Sequence, residues 1–326
     1  MSEYTDAASR FGQKAGTGDD RALFLTEFGG LVINTYDETM DYMDLRWVKN
    51  ITQGKSDTFP IIGRKRDASE HEAGELILGG KIESNEIEIS LDKMVYDAVF
   101  IPEIDELIAH FSVREPYAKQ LGQSLGSLQA RRVAIMHILA SRKYYVGNTP
   151  TDVPQGQPAP GYAFHANMKT SAAELEGGLW AAKEYLLVNE ISGEQPVCML
   201  PHQQVLMLAR NFGFAADGTA ANPQAGSGNR VEGELGKVVG FAVKGTNHLP
   251  KTNITTGLAK YQGNFTTSVG HVSTKMAVGS LERKAMRIVM KDQEERLGTI
   301  IIASQFNGHD VLRPEASFEL ATAVRA

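Results

Sequence analysis

At 326 residues, 42% hydrophobic and 22% charged, the chain has the makeup of an ordinary soluble globular protein, with one large domain or two modest ones. Its formal charge of -6 and pI of about 5.8 do not suggest the basic face of a sequence-specific DNA binder. No apolar run reaches about 18 residues, so nothing reads as a membrane span, and the polar start Met1-Ser-Glu-Tyr-Thr-Asp6 does not read as a signal peptide.

Residues 1 to about 21 are rich in Gly, Asp, Ser and Thr without a period, and read as a mobile arm. Ala22 to Thr35 suits a helix interrupted at Gly29-Gly30. Residues 51–101 read as β. A strand around Thr58 to Ile62 holds Phe59 and carries Pro60, which belongs on an edge or at a bulge. In the next strand Ile87, Ile89 and Leu91 alternate with Glu86, Glu88, Ser90 and Asp92, the period of a strand with one wet face. The polar segment between them is too long for a tight hairpin turn. A two-stranded ribbon with few core residues is not stable alone. Nothing local in the sequence supplies a surface for it, so a neighbouring subunit is the expected support. Its tip is electrically split, with Arg64, Lys65 and Arg66 first and Glu70, Glu72 and Glu75 after. A solvated loop accounts for that pattern. So does a bipolar tab that docks onto oppositely charged patches of adjacent copies.

Ile104 to Phe111 suits a short helix leading into a long one. Ser112-Val-Arg-Glu115 is a capping-box pattern, and Pro116 falls in the first turn, where its missing N–H is harmless. Tyr117, Leu121, Leu125, Leu128, Ile135 and Leu139 form one stripe, with Lys119, Gln123, Ser127, Gln129 and Arg131 opposite. Such a helix spans about 45 Å at ~1.5 Å per residue. Gly122 and Gly126 lower its propensity, so packing must hold it. Residues 146–165, with prolines and glycines, read as a loop between subdomains. Ser171 to Ile191 returns to helix, with Leu175, Leu179, Ala182, Leu186 and Val188 apolar. Val197 to Leu200 reads as a short buried strand in which the lone Cys198 is core, and Pro201 to Arg210 as a helix opened by proline. Phe212 to Gly236 suits a mobile loop. Lys237 to Lys244, Met276 to Gly279 and Thr299 to Ala303 look like strands.

Chemical motifs are weak throughout. Gly54-Lys55-Ser56 has the end of a phosphate-binding loop, but Lys49 stands where its first glycine is required. Gly226-Ser-Gly228 lacks the third glycine of a dinucleotide fingerprint. The histidines are dispersed, with no His-Glu-x-x-His; His137 falls near the edge of the long helix's stripe, while His71 and His309 lie in polar segments. No Gly-x-Ser-x-Gly occurs, and the single cysteine leaves no disulfide or thiolate metal cluster. Arg313-Pro314-Glu315 reads as a rigid turn after a Gly308-His-Asp310 loop, with Arg313 and Glu315 able to make directional contacts across a subunit boundary.

Four segments carry a resemblance. They are Ala22-Leu-Phe-Leu-Thr-Glu-Phe-Gly-Gly30, Gly54-Lys-Ser-Asp-Thr-Phe-Pro-Ile-Ile-Gly-Arg64, Phe111-Ser-Val-Arg-Glu-Pro-Tyr-Ala-Lys-Gln-Leu-Gly122 and Gly308-His-Asp-Val-Leu-Arg-Pro-Glu-Ala316. In this order and spacing the chain resembles the major capsid proteins of short-tailed, T-seven-like bacteriophages, from about Ala22 to about Leu320, with a diverged middle. The resemblance implies an α+β protein of the Hong Kong ninety-seven capsid fold. It implies an N-terminal arm over 1–50, an extended β-ribbon over 51–92 and a peripheral domain with the spine helix over 93–145. An axial domain would cover 146–290, and residues 291–326 would return to the peripheral domain.

By the same resemblance the protein is a structural component and not an enzyme, and no cofactor or metal is expected. It would assemble with itself into hexamers and pentamers of an icosahedral shell, in the bacterial host cytoplasm, around non-specifically held double-stranded DNA. A portal would replace one vertex, a separate scaffolding protein would guide assembly, and a decoration protein could bind outside. The expected subunit contacts are Phe59, Pro60, Arg64, Lys65, Arg66, Glu70, Glu72, Glu75, Arg313 and Glu315. Lys55, Lys65 and Lys81 lie in the ribbon, but the T-seven-like group is not known for lysine crosslinks. An encapsulin-like nanocompartment shell is the nearest alternative, with a soluble α+β enzyme behind it.

Overall fold

In this computed structural model the described residues are 31–36, 41–62, 70–71, 74, 76, 84–103, 114–143, 161–191, 195–211, 226–229 and 234–324. Residues 31–36 are helical. Strands β1 (Trp47–Asn50), β2 (Ser56–Ile62), β3 (Ser84–Ser90) and β4 (Val95–Pro102) precede helix α1 (Arg114–Arg142). Then β5 (Gly161–Phe164) leads to α2 (Ala172–Val188), and β6 (Val197–Leu200) to α3 (His202–Asn211). Strands β7 (Gly226–Asn229), β8 (Glu234–Val238), β9 (Phe241–Gly245), β10 (Asn253–Ile254), β11 (Gly263–Asn264) and β12 (Ser268–Ser273) follow. The long strands β13 (Val278–Gln293) and β14 (Gly298–Val311) come next, and β15 (Ser317–Ala321) is last.

Two sheets organise this α+β molecule. A four-stranded sheet has the order β1-β13-β14-β4, and a seven-stranded mixed sheet the order β5-β15-β12-β6-β9-β8-β7. The sheet boundaries differ from those expected at residue 290. β13 already belongs to the four-stranded sheet from Val278, and β15 crosses back into the seven-stranded one. The crossing is the 3-10 turn Pro314–Ala316, where proline at the first position suits the turn because that N–H would have no partner within it.

α1 runs between the two sheets. Leu121, Leu125, Val133, Met136 and Ile138 pack with Ile101, Val278, Ile301 and Ala303 of the four-stranded sheet, and with Met199 of the seven-stranded one. The wet face expected along this helix is present at Lys119, Gln123 and Arg131, which are exposed, but it does not run the whole length. Every residue from Val133 to Ile138 is buried, and Gln129, expected on the polar face, is fully enclosed. Where the helix is enclosed, its polar groups must be satisfied internally. Gln129 does so by donating to the Asn307 side-chain oxygen at 2.9 Å and meeting His309 Nε2 at 2.7 Å. Gly122 has a packing reason: a Cβ there would lie 2.5 Å from the Val32 carbonyl oxygen, so only glycine lets the 31–36 helix cross this closely.

On its far side the seven-stranded sheet is covered by α2 and α3. Leu175, Leu179, Ala182, Leu186 and Leu208 pack on Cys198, Leu200, Phe241, Val272 and Phe318. β6 therefore buries both faces, Cys198 and Leu200 toward these helices and Met199 toward α1, which is why Val197 to Leu200 is an unbroken apolar run. Ser171 caps α2 by accepting from the Glu174 N–H.

Two expectations in this part are corrected. Lys237 to Lys244 is not one strand but the hairpin β8-β9, turned at Val239 and Gly240 with φ of 54° and 82°. Positive φ at both turn residues matches the twist of a two-residue hairpin, although valine gives no sign of it. The expected loop over 212–236 contains β7 and the start of β8. The helix start at Ala22, the lead-in helix 104–111, the capping box at Ser112 and residues 146–160 of the loop expected over 146–165 lie outside the described residues, while 161–164 of that loop are strand β5.

Candidate subunit interface

The ribbon is the antiparallel pair β2-β3, in register from Ser56 opposite Ser90 to Ile62 opposite Ser84. Pro60 sits exposed on an edge strand, as its missing donor requires. The expected support is corrected at the root, which lies on its own chain. Phe59, Ile89 and Leu91 bury against Leu281 and Leu312, and Phe59 is only 6% exposed. Phe59 thus presents little side chain to a neighbour. Burying such side chains stabilises the root by about 1.5–3 kcal/mol each.

Polar contacts lock the same root. Lys49 Nζ pairs with Asp57 at 2.7 Å and sits 5.3 Å from the Phe59 ring centroid. That hydrogen bond holds the Asp57 carboxyl below its usual range. Arg283 donates to the Gly54 carbonyl at 3.0 Å, and a Cβ on Gly308 would fall 2.3 Å from the Ser90 carbonyl oxygen. Further out the ribbon loses its cover. Ile62 is 61% exposed and Leu76 83% exposed, while Glu70 is exposed. Arg64, Lys65, Arg66, Glu72 and Glu75 lie outside the described residues.

The turn at Arg313 also sits differently from the expectation. Gly308, His309 and Asp310 are not a loop but part of β14, where Lys260 donates to the His309 carbonyl. His309 is fully buried, held by Ser280 and Gln129 at 2.7 Å each. Arg313 is half-buried, but Glu315 is 5% exposed and burial pushes its carboxyl pKa up. The Tyr185 hydroxyl donates to the Glu315 carbonyl oxygen at 3.2 Å, tying α2 to the turn. This segment is an internal joint between the sheets, and Glu315 faces its own chain.

Two further ionic joints escape a sequence reading, because their partners lie far apart in the chain. Arg142, in the last turn of α1, grips the fully buried Glu319 of β15 with two hydrogen bonds of 2.9 and 2.5 Å. Asp92, just after the ribbon, pairs with Lys260, lies 3.6 Å from Arg132 and accepts from the Tyr261 hydroxyl at 2.6 Å. Around His137, Tyr42 and His271 stack in a buried trio, with the two imidazoles 4.9 Å apart and nearly parallel. The partners named for these groups all lie within the same chain. Among the described residues no group of three His, Cys, Asp or Glu could hold a metal ion.

The outer surface of the α2-α3 layer holds what the sequence reading missed. α2 turns Trp180, Leu187 and Val188 outward at 55, 59 and 74% exposure, although Val188 counted with the apolar core side in sequence. One signal was available: α2 carries apolar residues on both faces, and a helix of that kind is normally covered on both.

Comparison with known proteins agrees with this architecture. The chain is similar to the major capsid protein of Escherichia phage T7, 26% identical over 92% of each chain. It is 27% identical to that of Enterobacteria phage T3, covering 94% of this chain and 93% of the relative. Among solved structures, the capsid of cyanophage P-SCSP1u superposes with a TM-score of 0.73 at 29% identity, covering 88% of this chain and 89% of that one. The mature capsid of bacteriophage PhiM1 shares the fold, with a TM-score of 0.69 at 15% identity and 87% coverage of both. The profile of the Gp10A-like major capsid proteins matches residues 58–321, most of the chain from the ribbon to the last strand. The chain therefore belongs to the Gp10A-like family of phage major capsid proteins, structural shell components of the Hong Kong ninety-seven fold and not enzymes.

Proposed function

We propose that copies of this chain form hexamers and pentamers of an icosahedral shell that encloses double-stranded DNA. A scaffolding protein guides assembly in the host cytoplasm, a portal occupies one vertex, and a decoration protein can bind outside. In this reading α1 and the four-stranded sheet form the peripheral domain, and the seven-stranded sheet with α2 and α3 the axial domain. Of the expected arm over 1–50, the part ahead of β1 acts as the arm, while β1 itself is a strand of the four-stranded sheet. The ribbon is anchored at its root and reaches over an adjacent copy. Its tip is the bipolar tab, with Arg64, Lys65 and Arg66 facing acidic patches and Glu70, Glu72 and Glu75 facing basic ones. Shells use many weak contacts that closure makes collectively strong, so errors anneal before the particle locks.

The observation that carries this reading is the ribbon itself. Its apolar root is buried in its own chain, yet Ile62 is exposed where the pair runs on outward. A projecting strand pair of this kind needs a second surface. Electron microscopy of the protein expressed with and without a candidate scaffolding protein tests it. Uniform closed shells that form mainly with scaffold are expected; shells that form equally well without one favour an encapsulin-like mode. Reversing Arg64, Lys65 and Arg66 together is expected to lower shell yield while the subunit stays folded. Normal shells from that triple variant would sink the tab mechanism.

A further inference from the structure

The outward ridge of α2 is apolar in a pattern, not by accident. Trp180, Glu184, Leu187 and Val188 stand at i, i+4, i+7 and i+8, so they line one face of the helix. That face lies opposite Leu175, Leu179, Ala182 and Leu186, which fill the core beneath. Carboxylates accompany the ridge. Glu184 is exposed within it, and Glu176 accepts a hydrogen bond from the Trp180 indole N–H at 3.4 Å. The ridge is therefore an aromatic and aliphatic strip with an acidic character.

A counterpart exists in the same layer. Where the start of α2 meets α3, a groove of about 620 Å³ is lined by Lys169, Ala172, Gln203, Leu206, Met207 and Arg210. Leu206 is half exposed, so the groove has an apolar lining. Its rim is cationic. Lys169 is held in place by donating to the Thr266 carbonyl at 3.0 Å, and Arg210 lies in the last turn of α3.

Resting on the shell reading above, we infer that the acidic α2 ridge of one copy seats in the cationic α2-α3 groove of the next copy within a ring of subunits. Charge decides between the possible occupants. A self-complementary dimer through the ridges would set Glu176 and Glu184 of one copy against those of the other, and like charges at close range repel. Ridge to groove instead pairs Glu184 with Arg210 and covers Trp180 with Leu206 and Met207. Within a ring each copy offers its ridge to one neighbour and its groove to the other, a head-to-tail contact of the kind that closes into rings. Tryptophan is also enriched at interface centres.

The test is a charge-swap cycle on the full chain co-expressed with its scaffolding protein. E184R and R210E are each expected to cut shell yield on a gradient by about tenfold, equivalent to ~1.4 kcal/mol per contact. The combined E184R/R210E variant is expected to recover most of the wild-type yield. Thermal unfolding of the unassembled variants checks that the subunit still folds. A second reading uses Trp180 in a W47F background, the chain having two tryptophans. Acrylamide should quench it in free subunits and much less in shells. A double variant no better than the singles overturns the contact, as does a Trp180 that quenches equally in both states. A Trp180 shielded in shells although the single variants assemble normally assigns the ridge to another occupant, such as the scaffolding protein, and overturns it too. Absence of any shell from the wild-type chain would instead bring down the shell reading beneath it.

Discussion

Acidification should cost this subunit stability well before its surface carboxylates protonate, and His137 shows why. The residue is fully buried in α1; its Nε2 meets the Leu45 carbonyl at 2.9 Å and its Nδ1 has no partner. A proton added at Nδ1 would place a charge in the core with nothing to accept it, so burial lowers the pKa from 6.5 to about 4. The unfolded chain keeps the ordinary value and binds the proton first. Stability is therefore complete above about pH 6.5 and falls as pH drops toward 4. At about pH 4 the loss from His137 alone is about 3 kcal/mol, from ~1.4 kcal/mol per pKa unit. His271 is shifted in the same direction, first by burial and then by its neighbour His137, and His309 by burial and by Arg46, Lys260 and Arg132. Urea unfolding of the unassembled subunit from about pH 7 to about pH 4 measures the total, and H137Q isolates one part, since its amide can donate to Leu45 but cannot titrate. The difference between wild type and H137Q should shift by about 3 kcal/mol across that range in favour of the variant. Parallel curves for the two proteins would refute the reasoning, whatever their offset at neutral pH.

Other substitutions probe the joints. G308A forces a Cβ onto backbone that cannot yield, so a loss of about 1–3 kcal/mol is expected, with faster hydrogen exchange at Leu91 and Asp92; an unchanged root would contradict the packing. G122A sets a gain of about 1 kcal/mol in helix propensity against the clash with Val32 and Thr35, and the thermal midpoint should fall; a rise would mean that the 31–36 helix gives way freely. R142M strands the buried Glu319 carboxylate and is expected to cost about 3–5 kcal/mol in denaturant titration, much of it recovered by adding E319Q.

The sequence reading did best where local pattern and packing agree. The alternation of Ile87 and Ile89 with Glu86 and Glu88 placed β3, the long stripe placed α1, and the apolar run at Cys198 placed β6. It did less well where distant chain segments decide the environment. Gln129 reads as solvent-facing because its partners, Asn307 and His309, come from a strand nearly two hundred residues later. His309 and Glu315 read as surface residues because the glycine and proline beside them look like loop punctuation, whereas they serve a close crossing and a buried turn. Val239 hides a hairpin by taking a backbone conformation that its β-branched side chain disfavours. The ribbon's need for support was legible, but not that Leu281 and Leu312 supply the first part of it.

The place of β15 has a consequence for how a cell makes this protein. β15 lies between β5 and β12, and it is the strand that joins β5 to the sheet. Residues 161–164 thus leave the ribosome long before their neighbour at 317–321 exists, an interval of roughly ten to thirty seconds at ~5–20 residues per second. The Glu319 carboxylate that completes the Arg142 joint arrives equally late. A nascent chain therefore cannot offer a finished subunit surface to its neighbours on the same message. The seven-stranded sheet is complete only once β15 has been made, so a chain that lacks it cannot present the finished layer to a neighbouring copy.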